Sequence, residues 1–68
     1  MNLYRVVVLQ KDKENLERGV WADSLKVTDG QIIFRDEYND IIAVYPSNYT
    51  LITSIETKED YDKRKSSI

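Results

Sequence analysis

Histidine and cysteine are both absent from this 68-residue chain. That removes the commonest transition-metal ligand, the usual general base near neutral pH, and every thiolate or disulfide chemistry. What remains for acid–base work is carboxylate, lysine and tyrosine, which need a shifted pKa in a pocket to act at neutral pH. The densest carboxylate group is Asp36, Glu37 and Asp40, close enough in sequence to meet across a hairpin turn. A turn of this composition is ordinarily solvated. It also lacks the acid spacing and the glycine of an EF-hand loop, so no calcium site is expected. Gly19 and Gly30 stand alone, and no glycine-rich phosphate loop exists. The expectation is a non-enzyme with no catalytic residue, no metal and no cofactor.

Binding chemistry has more material. Tyr38 lies in a charged turn where nothing obliges it to be buried, with Arg35 just before it and Glu37 and Asp40 around it. Tyrosine and arginine are enriched at protein-binding hot spots, and acids at a rim tune charge complementarity. Trp21, the single tryptophan, is expected in the core as its largest piece, with an anchor for a partner as the alternative. Tyr38, Arg35, Glu37, Asp40 and Trp21 are therefore the candidate partner-binding residues.

Nucleic acid is the competing ligand. Trp21, Tyr38, Tyr45 and Tyr49 are aromatics on which bases could stack. Phosphate contacts dominate such affinity, and the cations are missing. Between Ala22 and Ile42 stand Asp23, Asp29, Asp36, Glu37 and Asp40 against Lys26 and Arg35. The net charge of −2 also argues against a strongly basic binder.

The elements that would position these residues are short. Leu3 to Gln10, with Val6-Val7-Val8, reads as a strand covered on both faces. Lys11 to Arg18 is a polar loop, either a hairpin loop or a turn of helix over Lys13–Glu17. Val20 to Val27 reads as a strand bent near Ala22-Asp23-Ser24. Asp29-Gly30 is a tight hairpin turn, followed by strands over Gln31–Arg35, Ile41–Tyr45 and Tyr49–Ile55, with Pro46-Ser47-Asn48 as a further turn. Residues 57–68 are polar apart from Tyr61 and Ile68. Thr57-Lys58-Glu59-Asp60 resembles a capping box, so the tail is either a short helix or disordered, and disorder is the preferred alternative because a short helix with nothing to bury is marginal in water.

The fold expected is all-β: a single small curled sheet or SH3-like barrel of five to six short antiparallel strands over 1–56, with the tail at 57–68. Val6-Val7-Val8 carries no charge to guard an edge. Either the sheet closes on it or a second chain pairs there, which makes a homodimer through an edge strand one outcome. The N-terminus has no basic region and its apolar run is too short for a signal peptide, and no stretch approaches the length of a membrane span, so a cytoplasmic protein away from the membrane is expected.

The stretch from Ala22 through Asp29-Gly30 to Phe34, then Ile41 to Pro46 and the following Tyr49, resembles a loose class of short β-meander proteins from bacteria and their phages. That resemblance implies an accessory protein and assigns no site residue. The resulting functional expectation is a protein-binding module that occupies and modulates a host protein. A single-stranded nucleic-acid-binding small barrel is the alternative, and a structural subunit of a larger assembly is a third option.

Overall fold

The computed structural model describes residues 1–66. Six strands run in chain order: β1 (Asn2–Val8), β2 (Leu16–Ala22), β3 (Ser24–Thr28), β4 (Gln31–Arg35), β5 (Ile41–Pro46) and β6 (Thr50–Thr57). A 3-10 turn, Ser47–Tyr49, links β5 to β6, and a helix, α1 (Lys58–Ser66), is the last of the described elements. The strands make two antiparallel three-stranded sheets, in the orders β2-β1-β6 and β3-β4-β5.

The hairpin between β3 and β4 follows from its turn residues. Asp29 has φ 49° and Gly30 φ 74°, the two consecutive positive values of a type I′ turn, whose twist matches that of the flanking strands. Thr28 pairs with Gln31 directly across it. The long segment over residues 16–28 is bent at Asp23, as its interrupted alternation suggests. Its first half belongs to one sheet and its second half to the other, and the Asp23 N–H donates to the Arg35 carbonyl at 2.9 Å across the corner. No helical turn forms over Lys13–Glu17, because β2 begins at Leu16.

The core lies between the inner faces of the two sheets. Tyr4 and Val6 of β1, Val20 and Ala22 of β2, and Ile32 and Phe34 of β4 are buried together. Phe34 is the centrepiece, with its ring 5.2 Å from Tyr4 and 6.0 Å from Tyr45. Alternation does the sorting: the even-numbered residues of β1 and β4 face in, and a one-residue slip would turn each set to solvent.

Two open alternatives are decided, for β1 and for the tail, and one expectation, the place of Trp21, is corrected. β1 is no edge: it pairs with β2 on one side and β6 on the other, which is why Val6-Val7-Val8 needs no guarding charge. Trp21 is not in the core. It pairs across from Leu3 on the outer face of β1 and β2, because Val20 and Ala22 take the inward positions. Residues 58–66 are helical rather than disordered, and the last two residues of the expected tail lie outside the described residues.

The helix is held from several sides. The Thr57 hydroxyl accepts the Asp60 N–H at 3.1 Å, an N-cap. Glu59 and Asp60 sit in the first turn and Lys63, Arg64 and Lys65 in the last, in accord with the helix dipole. Tyr61 meets Trp21 edge to face, and Arg64 pairs with Glu56 of β6 through two bonds of 3.0 Å. A helix without an apolar face is thus docked by one aromatic contact and one bidentate ion pair.

Candidate functional site

The loop between β4 and β5 is built by Asp36. Its carboxylate accepts the N–H of Tyr38 at 2.9 Å and of Asp40 at 3.0 Å. Its own N–H donates to the Asp40 carbonyl, and its carbonyl accepts the Asn39 N–H, both at 3.0 Å. Asn39 takes φ 67°, a left-handed conformation that asparagine tolerates better than most residues. Arg35 closes the loop by donating from Nη1 to the Asn39 carbonyl at 3.0 Å. This network fixes the backbone before any partner arrives.

The side chain presented by this frame is Tyr38, 77% exposed. Glu37 and Asp40 are exposed beside it. Four of the five candidate residues, Arg35, Glu37, Tyr38 and Asp40, therefore belong to one loop and its stem. Trp21 is not among them: it lies half-buried under α1, engaged with Tyr61. Asp36 is the residue that sequence reasoning treated only as a turn acid. Its signal was legible, since an aspartate at the first position of a turn accepts backbone N–H groups two and more residues on.

An apolar surface continues from the loop. On the outer face of the second sheet Ile33 pairs with Val44, and Arg35 pairs with Ile41. The register shifts between Phe34 and Arg35, with Ile42 the extra residue on β5, a β-bulge that turns the strand beside the loop. Ile41, Ile42 and Val44 are all exposed. Lys26 and Arg35 flank this patch on the neighbouring strands.

An ion pair away from this loop shifts the titration of both its members. The hydrogen-bonded Arg64 guanidinium holds the Glu56 carboxyl below the usual glutamate range, and Glu56 in turn raises Arg64. Both groups are in contact with solvent, so the pair is a clasp for α1 rather than an acid–base device. Among the described residues no three His, Cys, Asp or Glu side chains gather as metal ligands. No helix there is long and apolar enough to cross a membrane.

Comparison with protein-family models, with curated proteins and with solved structures returned no match.

Proposed function

We propose that this chain is a non-enzymatic protein-binding module, an accessory protein of a bacterium or phage that acts in the cytoplasm by occupying a host protein. The observation that carries the reading is Tyr38: an aromatic side chain 77% exposed on a loop whose backbone is already tied down by Asp36 and Arg35. Preorganisation lowers the entropy cost of binding, and an exposed tyrosine with an apolar neighbourhood is the material of a hot spot. Ile41, Ile42 and Val44 supply that neighbourhood, with Glu37 and Asp40 as a charged rim. A partly open, SH3-like barrel, with β5 and β6 unpaired, is the architecture proposed for the module. It draws support from the bent β2–β3 segment that serves both sheets and curls the meander.

The single-stranded nucleic-acid reading is weaker by the same geometry. Of its four stacking candidates, Trp21 is engaged with Tyr61 and Tyr45 with Phe34. The two exposed ones, Tyr38 and Tyr49, have few cations near them in sequence.

The test is capture from bacterial lysate, after nuclease treatment, by wild type, Tyr38→Ala and Asp40→Asn. A protein retained by wild type and Asp40→Asn but lost by Tyr38→Ala supports the proposal. Capture that disappears with nuclease, or equal capture by all three chains, overturns it. A parallel titration with mixed-sequence single-stranded DNA and RNA at low salt, read by Trp21 fluorescence, decides the alternative. A tight, salt-sensitive response would favour nucleic acid.

A further inference from the structure

The two sheets share a corner at Asp23 but do not close into a cylinder. β5 and β6 diverge from the 3-10 turn between them and do not pair, so each is the outer strand of its sheet. Edge strands leave rows of unpaired N–H and C=O groups, and monomeric proteins guard them with charges, prolines or a covering element. Here the charged guard is absent, and β5 keeps only the bulge at Ile42 and Pro46 at its end. In a chain that is 32% charged, no Asp, Glu, Lys or Arg stands anywhere between Ile41 and Ile55. That stretch contains all of β5 and most of β6. It also holds most of the large apolar side chains left exposed among the described residues: Ile41, Ile42, Val44, Tyr49, Leu51 and Ile55.

Total surface points the same way. A folded monomer of 8.0 kDa is expected to expose about 4,450 Å². This chain exposes 5160 Å², an excess of about 700 Å² over that scaling, of which edge-strand pairing would cover a part.

We infer that β5 pairs with β5 of a second copy of this chain, antiparallel about a two-fold axis at Val44, making one six-stranded sheet from two three-stranded ones. The edge is its own complement. Uncharged residues face uncharged residues, and the Ile33, Ile41 and Val44 patches of the two outer faces merge. The antiparallel arrangement also keeps the acidic loops apart: each 36–40 loop lies beside Ser47 and Asn48 of the other copy, which carry no charge. β6 suits self-pairing less well, because it ends in Glu56, already clasped by Arg64. A β5-to-β6 contact would be head to tail and would not close. The contact is small, so the dimer forms and dissociates with concentration. It shares Ile41, Ile42 and Val44 with the surface beside Tyr38 but does not use the Tyr38 side chain, so Tyr38→Ala is expected to leave the self-association unchanged.

Sedimentation velocity on the full chain, over a concentration series from low micromolar upward, tests the inference. The expected result is a monomer–dimer equilibrium, with association weakened by about tenfold or more in Val44→Lys, whose two lysines meet near the axis. Leu51→Lys, on exposed β6, is expected to associate like wild type. Hydrogen exchange on the wild-type chain gives a second reading that needs no variant: β5 amides gain protection as the dimer forms, and β6 amides do not. A chain that stays monomeric throughout overturns the inference. So do assemblies that grow beyond the dimer, association sensitive to Leu51→Lys, or protection gained on β6 instead of β5.

Discussion

Trp21 and Tyr61 meet edge to face, with ring centroids 5.0 Å apart and ring planes at 90°. They stand forty positions apart in the chain, and the contact is the main apolar hold on α1. Edge-to-face pairs contribute about 0.5–1.5 kcal/mol beyond burial. Around Tyr61, Arg64 lies 5.2 Å and Lys65 5.8 Å from the ring centroid. One tyrosine thus joins the helix to the sheet and is flanked by its own helix's cations.

Tyr61→Ala is therefore expected to undock α1. The melting temperature should fall by roughly 4–8 °C for each kcal/mol lost in a domain of this size, and Trp21 emission should shift to the red as its face meets water. Deletion after Thr57 should do at least as much. Thermal melts followed by circular dichroism, with Trp21 emission spectra, check both. An unchanged spectrum in Tyr61→Ala would mean that the ring contact holds nothing.

Acid should release the same helix. Glu56 titrates below the ordinary glutamate range because Arg64 hydrogen-bonds its carboxylate, with further help from the charges of Arg64 and Arg5. The undocked state therefore takes up the proton more readily. The stabilisation is complete above the ordinary glutamate pKa of about 4.3 and is lost as pH falls through the lowered value. Trp21 fluorescence should report a transition below about pH 4.3 that Glu56→Gln reduces.

Gly30 has φ 74° and open space where a side chain would stand. The cost of replacing it is then conformational rather than steric. Gly30→Val should destabilise by about 1 kcal/mol or more, and Gly30→Asn by less, since asparagine tolerates the left-handed region. Urea unfolding with unchanged m-values would show that the loss lies in the native turn.

Thr50 offers a gain. Its side chain is buried across from Val8, and its hydroxyl oxygen finds no hydrogen-bond partner. An unsatisfied buried polar group costs about 1–3 kcal/mol. Thr50→Val keeps the shape and removes the penalty, so its urea midpoint should rise. A fall would show that the hydroxyl is satisfied by water.

Asp36→Ala tests the loop that carries Tyr38. It removes the acceptor of two backbone N–H groups on the surface, where water can replace it. Stability should change by about 1 kcal/mol or less, while the Tyr38 amide exchanges faster. Unaltered exchange at Tyr38 would show that the loop holds its shape without the carboxylate.

Much of the strand layout was legible locally. Asp29-Gly30 marked a tight turn because glycine accepts positive φ without strain. The broken alternation around Asp23 marked the bend, since Val20 and Ala22 cannot face the core on the same parity as Leu25. Tyr38 was legible as exposed because charge surrounds it. These are properties of neighbouring residues, and neighbouring residues set backbone torsions and side-chain parity. Three features belonged to the tertiary structure alone. β1 became the middle of a sheet only because β6 returned beside it. Trp21 faced outward because register, fixed by pairing with β1, gave the inward places to Val20 and Ala22. Residues 58–66 became an ordered helix because Tyr61 found Trp21 and Arg64 found Glu56. Such contacts join residues distant in sequence, and no local propensity carries their energy, so the chain alone determined where it turns while the packed fold decided which faces and ends those turns bring together.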